Sequence, residues 1–367
     1  MADKSKIAWT EATWNPVSGC SKVSEGCRNC YAERDWPRLS RLVPAYAGRN
    51  FEDVACHPDR LDQPLRWKRP RKIFVNSMSD LFHPDVPDEF IARVFALMSI
   101  ASWHTFQILT KRPERMLSFM TRRALRNLDT GKIEESEEGS PGSYASCKLR
   151  DALFLYLVPG KRYKLNLPES AWALPEGVDR FVFPLHNVWL GVSVEDQKTA
   201  DERIPLLLKT PAAVRWVSIE PMIGPVSFRW RYGNGFKTDP ATGIQSRNHL
   251  DGLRRLDWIV VGGESGPQAR PMEAEWVRKI TYECEEARVP LFVKQLGAAY
   301  SDPVDGIAGA SLKIPEEAVS LLKRRLKHRS GTDMKEWPEK FRVRAYPGGI
   351  SSQTTDGQDL VKTETGQ

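Results

Sequence analysis

The sequence predicts an α/β protein, a partial (β/α) barrel of six to seven parallel strands with polar insertions and a C-terminal extension. Three observations predict this class. Short apolar segments alternate with segments of helical spacing, the pattern of a parallel sheet covered by helices. The apolar segments end repeatedly in polar or charged residues. The 367-residue chain is long enough for one large α/β domain.

The predicted elements follow from the apolar spacing, taken in chain order. A first strand is predicted before the loop that contains three cysteines. A helix is predicted from Tyr31 to Trp36, and residues 37–71 are expected to be irregular. Further strands are predicted at Lys72–Val75, Thr105–Leu109, Val188–Ser193, Val214–Ile219, Leu256–Val261 and Pro290–Val293. Helices are predicted at about 87–98, 113–122 and 273–288, and a further helix follows Asp196 and ends at about 208.

Two polar stretches and a C-terminal extension interrupt or follow this alternation. We assign residues 1–300 to the barrel, with insertions at about 123–186 and 229–252 that are rich in turn-forming residues. Residues 301–367 form the extension, which is expected to be partly disordered; from 333 onward we expect a loosely ordered polar tail.

Composition favours a globular protein with a polyanionic partner. The chain is 41% hydrophobic and 28% charged, with a formal net charge of +7, and a positive excess of this kind suits nucleic acid. Basic clusters occur at 66–72, 122–123 and 323–329, although such clusters are more often a solvated face than a phosphate contact. The twelve tryptophans can stack on bases or fill a core equally well.

No segment indicates export or a membrane. No apolar run approaches the roughly 20 residues of a membrane span, and the N-terminal residues have no apolar signal core. We therefore expect a cytoplasmic protein with reduced thiols.

The polar residues that follow the strands predict one shared pocket. Because active sites of (β/α) barrels lie at the C-terminal ends of the strands, we expect these side chains to converge, although ordinary loop polarity would produce part of the pattern. The residues are Ser77, Ser79, Asp80, Lys111, Arg112, Glu195, Glu220, Glu264, Lys294 and Gln295.

The cysteine loop contains the strongest chemical signal. Cys20, Cys27 and Cys30 fall within eleven residues, so their thiolates can converge on one metal centre. A structural zinc site completed by Cys56 or His57, a disulfide with a spare thiol, and unligated thiols are the alternatives. Three ligands leave one coordination position open, which favours a [4Fe–4S] cluster with one iron free for a small-molecule chelator.

Together with this loop, several short motifs resemble the radical S-adenosylmethionine (SAM) superfamily, and more narrowly its phage and prophage branch. The resemblance covers about residues 7–297. The motifs are Trp14-Asn-Pro-Val-Ser-Gly-Cys20, Cys27-Arg-Asn-Cys-Tyr-Ala-Glu33, Asn76-Ser-Met-Ser-Asp-Leu-Phe82, Leu109-Thr-Lys-Arg-Pro113, Gly191-Val-Ser-Val-Glu195, Ile219-Glu-Pro221 and Gly262-Gly-Glu-Ser-Gly266. The cysteine spacing departs from the usual pattern, since six residues rather than three separate Cys20 from Cys27, and the aromatic Tyr31 follows the last cysteine instead of preceding it.

The resemblance implies two cofactors and a set of contacts. The three cysteines would hold a [4Fe–4S] cluster, and SAM would chelate its fourth iron and yield a 5′-deoxyadenosyl radical after one-electron reduction by a donor such as flavodoxin or ferredoxin. Ser77, Ser79 and Asp80 would contact SAM. The three carboxylates that follow later strands would bind its ribose, its methionyl amine or the substrate; they are Glu195, Glu220 and Glu264.

The same resemblance implies a substrate. Phage members of this branch are associated with thymidine hypermodification, so we expect an isomerase that converts N-linked to C-linked glycinyl-thymidine in DNA. The modified base would have to be flipped out of the stack. A radical photoproduct lyase or an RNA-modifying enzyme, a zinc-containing nucleic-acid-binding module, and a phosphate-handling barrel that uses Gly262 and Gly263 are the alternatives.

Overall fold

A seven-stranded parallel sheet, curled into a half-barrel, forms the centre of the computed structural model. Its strands are adjacent in chain order, as expected when each helix returns the chain to the next position in the sheet. The strands are β1 (Ala12–Trp14), β2 (Lys72–Val75), β3 (Thr105–Thr110), β4 (Val188–Val194), β5 (Val214–Ile219), β6 (Trp258–Gly262) and β7 (Leu291–Gln295). The prediction of a partial barrel of six to seven parallel strands is confirmed.

The structure describes residues 5–126, 132–137, 144–148, 151, 183–229, 231–232, 237–238, 245–246, 249–301 and 332–348. Within them, the helices are α1 (Tyr31–Leu42), α2 (Asp88–Ile100), α3 (Pro113–Thr121), α4 (Gln197–Lys209) and α5 (Ala274–Ala287), and residues 144–148 are also helical. None of the helices in these ranges is long and apolar enough to cross a membrane.

The two faces of the sheet have different roles. On the outer face, residues such as Val217 and Val261 pack under the helices in the main hydrophobic core. On the inner face, alternate residues of the same strands, Trp216 and Trp258, point into the half-barrel. Because side chains alternate along a strand, the polar residues that follow β4 and β5 are carried to the same inner rim.

Aromatic rings fill the bottom of the half-barrel. Trp9, from the segment before β1, lies 4.8 Å from Phe74, 5.2 Å from Trp216 and 6.2 Å from Trp258 between ring centroids. All four side chains are buried. These four residues lie beneath the C-terminal ends of the strands, and we call them the aromatic floor.

Helix α1 is longer than predicted. It continues through Pro37 to Leu42, although a proline usually ends a helix. The buried ring of Trp36 stacks on Tyr46 at 4.6 Å, and the hydroxyl of Ser40 donates a hydrogen bond to the carbonyl of Pro37 (3.3 Å). Packing of one helix face thus outweighs the lost backbone hydrogen bond, and the expectation of irregular structure over residues 37–71 was wrong for residues 37–42.

Among the described residues, four short strand pairs lie outside the main sheet. Val17–Ser18 pairs antiparallel with Ala55–Cys56, and Met272–Glu273 pairs parallel with Tyr300–Ser301. Within the described parts of the two insertions, antiparallel pairs join Ala124–Arg126 to Ile133–Glu135 and Lys237–Thr238 to Gln245–Ser246. Most of the polar stretch at 134–143, and residues 302–331 and 349–367 of the C-terminal extension, lie outside the described residues.

Residues 332–348 are ordered against the sheet, so the expectation of a loose tail from residue 333 fails for this segment. Phe341 is fully buried in the main core. The amide of Val293 donates to the carbonyl of Val343, and the amide of Ala345 donates to the carbonyl of Leu291 (2.9 Å each). The segment therefore covers the edge of β7, where unpaired backbone groups would otherwise invite association.

Substitution of Phe341 by alanine should lower the free energy of unfolding by about 3–5 kcal/mol, because a fully buried aromatic ring leaves a cavity. The exposed neighbour Glu339 serves as the control, and its replacement by alanine should change stability by less than about 0.5 kcal/mol. Urea denaturation of the two variants measures both values. Equal, small losses would show that the segment contributes little to the core.

Candidate functional site

The cysteine loop lies at the C-terminal edge of the sheet, between β1 and α1. Cys20, Cys27 and Cys30 are all half-buried. Gly19 fixes the start of the loop, since its φ is +87° and an added Cβ would lie 2.5 Å from the carbonyl oxygen of Asp53. The amide of Cys20 donates to the carbonyl of Phe51 (2.9 Å). The backbone therefore positions the first thiol firmly.

The three thiols influence one another. Burial, above all, raises the pKa of Cys20 to about 11, with a further contribution from Asp80, and burial also raises the pKa of Cys30. Negative charge on Cys27 raises the pKa of both. The raised pKa values favour the neutral thiol at Cys20 and Cys30 in the metal-free protein, whereas a bound metal would favour the thiolate.

No mononuclear metal site is formed by the described residues, among which no three or more His, Cys, Asp or Glu side chains are placed to hold one ion. His57, suggested by the sequence as a fourth zinc ligand, instead has its Nε2 2.7 Å from the hydroxyl oxygen of Ser18. Burial lowers the pKa of His57 to about 4. Its neighbour Cys56 lies in a short strand paired with Val17.

Asp80 orients an arginine toward the first cysteine. Its carboxylate accepts hydrogen bonds from the hydroxyl of Thr110 (2.7 and 2.9 Å), the amide of Lys111 (3.1 Å) and Nη1 of Arg112 (3.0 Å). The same Nη1 lies 3.6 Å from Sγ of Cys20. Asp80 thus fixes a guanidinium beside the thiol, and its oxygens are already engaged by protein donors.

Ser77 and Ser79 connect the end of β2 to the cysteine loop. The Ser77 hydroxyl donates to Oδ1 of Asn15 (3.2 Å), and the Ser79 hydroxyl donates to the carbonyl of Val17 (2.8 Å). The phenol of Tyr31 donates to the carbonyl of Ser77. These residues are therefore where the sequence predicted them, at the rim, but their hydroxyl protons are used within the protein.

Glu195 follows β4 and is 1% exposed. Its carboxylate pairs with Lys111 and accepts hydrogen bonds from Nη1 of Arg203 (3.1 and 3.2 Å). It also accepts from the hydroxyl of Ser24 in the cysteine loop (3.2 Å). A buried carboxylate needs such partners, and here one of them is the loop itself.

Glu264 follows β6 and holds the other side of the loop. It accepts from three nitrogens of Arg270 (2.7, 2.8 and 3.0 Å) and from Nδ2 of Asn29 (3.0 Å). Burial acts to raise the pKa of Glu264, but the hydrogen bonds from Arg270 and Asn29 outweigh it and hold the pKa below 4.5. Arg270 also donates to the carbonyl of Glu25 (2.9 Å).

Glu220 is the most accessible of the three rim carboxylates. It follows β5 and pairs with Lys294 of β7, and each side chain is 18% exposed. Nε2 of Gln295 lies 3.4 Å from the same carboxylate. An added Cβ on Gly262 would lie 3.2 Å from the Glu220 carboxyl group, so a small residue on β6 leaves space beside this pair.

The structure brings the predicted rim residues into one neighbourhood and adds four that the sequence analysis missed. Ser24 and Asn29 lie inside the cysteine loop, where only the thiols attracted notice. Arg203 and Arg270 lie eight and six residues beyond the carboxylates that they bind. Charge complementarity at those short separations was the available signal.

The chain matches one family model over residues 4–340, a range that contains the whole sheet and the cysteine loop. It belongs to the family described as protein of unknown function DUF5131. No curated protein matches the chain. Among solved structures, a point mutant of spore photoproduct lyase is similar at 10% sequence identity with a TM-score of 0.31. The match covers 79% of this chain and 65% of the lyase chain, so this DUF5131 protein spans less than two thirds of that neighbour.

Substitution of Gly26 by alanine should displace the cysteine loop from Glu195, because the added Cβ would lie 2.2–2.5 Å from the Glu195 side chain. We expect a loss of roughly 1–3 kcal/mol in the free energy of unfolding, as for overpacking of a tight contact. A double-mutant cycle with Glu195→Ala tests the cause. Removing the carboxyl group relieves the collision, so the double variant should lose less than the sum of the single losses; strict additivity would contradict the contact.

The pairing of Glu264 should make stability depend on pH in a defined direction. Because the folded pKa is depressed, its contribution is fully present above the unfolded value of 4.5 and is lost as pH falls through the folded pKa. Urea denaturation between about pH 6 and about pH 3 should therefore show a steeper decline for the native protein than for Glu264→Gln. Parallel declines would show that this carboxylate titrates normally.

Proposed function

We propose that this chain is a radical SAM enzyme that isomerises N-linked glycinyl-thymidine to its C-linked form in DNA. The observation that carries the proposal is the placement of three half-buried thiols on one loop across the C-terminal mouth of a half-barrel. Active sites of (β/α) barrels lie at this edge. The motif resemblance supplies the reaction class.

The donor set fits a [4Fe–4S] cluster. Soft thiolates select iron–sulfur centres among the common metals. Each thiolate of such a cluster bonds a different iron, so its three cysteines need not converge on one point, and a set that holds no single ion is compatible with it. Arg112 and Lys111 bring positive charge to this edge, which offsets the negative charge of a thiolate-bound cluster.

When bound, the cluster and SAM supply a carbon-centred radical that can remove a hydrogen atom from the substrate. The residues of the chain would orient and protect these groups. Arg112 donates to the sulfur of Cys20, an interaction of the kind that tunes cluster potential. Glu195 and Glu264 hold the loop.

Among the predicted cofactor contacts, Glu220 with Lys294 is best placed to meet a ligand. Both side chains are partly exposed at the rim, whereas Asp80, Glu195 and Glu264 are buried and bonded to protein donors. We assign Glu220 to the methionyl amine, the ribose or the substrate. Ser77, Ser79 and Asp80 act on SAM indirectly, because their hydrogen bonds fix the backbone that lines the SAM site.

The proposed reaction conserves all atoms. The bond between the thymine methyl carbon and the glycine nitrogen breaks, a bond between that methyl carbon and the glycine α-carbon forms, and one hydrogen moves from the α-carbon to the nitrogen. A net charge of +7 suits a DNA substrate. The one-electron donor would be a flavodoxin or ferredoxin.

Anaerobic reconstitution with iron and sulfide, followed by incubation with SAM, reductant and glycinyl-thymidine DNA, tests the proposal. We expect a [4Fe–4S] electron paramagnetic resonance signal, release of 5′-deoxyadenosine, and C-linked glycinyl-thymidine in the nucleoside mass spectrum. A zinc-containing, colourless protein would overturn the radical chemistry. Cluster formation with turnover only on thymine photoproducts or on RNA would overturn the substrate alone.

Substitution of Cys27 by alanine should abolish the cluster, because one of three ligands is lost. Two matched variants, Cys147→Ala and Cys56→Ala, change thiols that are also half-buried but lie outside the loop, and both should keep native iron content. Iron and sulfide assays with absorption spectra measure the result. Loss of metal from Cys56→Ala as well would instead favour a site that includes the 56–57 pair.

A further inference from the structure

Helix α1 presents a row of arginines on its outermost face. Arg34, Arg38 and Arg41 are exposed, and their spacing of four and three residues places them on one side of the helix. Ala32 and Trp36, on the opposite side, are buried. We call these three arginines the α1 arginine stripe.

The stripe begins at the rim of the candidate site. Helix α1 starts directly after Cys30. Nη1 of Arg34 donates a hydrogen bond (3.0 Å) to the carbonyl of Ser265, the residue after Glu264. Arg28, inside the cysteine loop, is exposed on the same approach. Within the described ranges, the side chains of Arg28 and Arg38 have no hydrogen-bond or ion-pair partner, so their charge is available to a ligand.

We propose that the α1 arginine stripe, extended by Arg28, binds the phosphate backbone of a DNA strand and leads it to the cysteine loop. The inference rests on the proposed function for the identity of the strand. Arginine is suited to this role because its planar guanidinium binds phosphate with two parallel hydrogen bonds.

The dimensions agree with a nucleic-acid strand. Arg34 and Arg41 are seven positions apart, about 10.5 Å along the helix axis, and a DNA strand advances about 3.4 Å per nucleotide. The stripe therefore spans about three phosphates. Tyr31, 43% exposed at the cysteine end of the helix, offers a ring on which an unstacked base can lie.

The basic cluster at residues 66–72 lies at the wrong edge of the sheet to guide DNA to the cysteine loop. Lys68 and Arg69 are exposed, but they precede β2 and so lie at the N-terminal edge of the sheet, opposite the cysteine loop. A strand held there could not deliver a base to the mouth. This cluster is consequently a matched control of equal charge.

Fluorescence anisotropy with a fluorescein-labelled single-stranded oligodeoxynucleotide tests the proposal on the full chain. Arg38→Gln/Arg41→Gln should bind the oligonucleotide roughly 10- to 30-fold more weakly at about 0.1 M salt. The loss of two phosphate contacts should also lower the salt slope, the slope of log K against log salt concentration, by about 1.4 in magnitude. Lys68→Gln/Arg69→Gln should bind like the native protein. Glutamine preserves helix propensity, and unchanged circular dichroism confirms the fold.

Native affinity and salt slope in Arg38→Gln/Arg41→Gln, or equal losses in both double variants, would overturn the inference. Native DNA affinity with slower reduction by flavodoxin would also overturn it, because the stripe would then bind an acidic protein. DNA binding by the stripe does not require the cluster, so the two proposals can fail separately. If the native protein assembles no cluster but Arg38→Gln/Arg41→Gln still binds DNA more weakly than the native protein, the stripe is supported and the proposed radical chemistry is overturned. Tighter binding to an RNA of the same sequence supports the stripe and overturns DNA as the substrate.

Discussion

Two buried carboxylates hold the cysteine loop in place, and the geometry of the whole mouth depends on them. Glu195, after the central strand β4, binds Ser24, and Glu264, after β6, binds Asn29. Neither carboxylate could remain charged and buried without partners, so the loop and the rim stabilise each other. The long interval between Cys20 and Cys27 has a structural use here, because Ser24 and Gly26 within it make the contact with Glu195.

The rim is also organised by charge. Asp80 pairs with Arg112, Glu195 with Lys111 and Arg203, Glu220 with Lys294, and Glu264 with Arg270. In the first three cases the carboxylate and a cation come from different segments of the chain, whereas Glu264 and Arg270 share the loop after β6 and reach another segment through Asn29. Such pairs contribute less to net stability than to a unique arrangement of the segments that they join. A site that must hold a reactive group in one orientation benefits from that rigidity.

The strands could be predicted closely because each is a continuous apolar run in a sheet buried on both faces. The limits of Lys72–Val75 and Val214–Ile219 were correct to the residue. The second half of helix α1 and the packing of the segment at 332–348 were not predicted, because tertiary contacts override the local signals there. The ring of Trp36 stabilises a helix through Pro37, and the isolated apolar residue Phe341 gives an otherwise polar segment its place in the core.

The sequence predicted which polar residues reach the rim but not what each one binds. Position follows from the strand ends, whereas the partners depend on which segments meet across the sheet. Asp80 shows the difference. Its place after β2 suggested a cofactor contact, yet Thr110 and Arg112 from the next strand end occupy its oxygens. Arg270 had only a weak signal, its opposite charge six residues after Glu264, and its contact with Glu25 of the cysteine loop could not be predicted from that spacing.

The aromatic floor has a kinetic consequence. Trp9 packs edge to face on Trp216 and on Trp258 at the base of the half-barrel, and all three rings are buried. A ligand that binds above these rings must therefore enter and leave through the same opening, at the C-terminal ends of the strands. If the mouth binds a cofactor and a substrate, as proposed, the ligand nearest the indoles would have to enter first and leave last, so binding would follow a compulsory order.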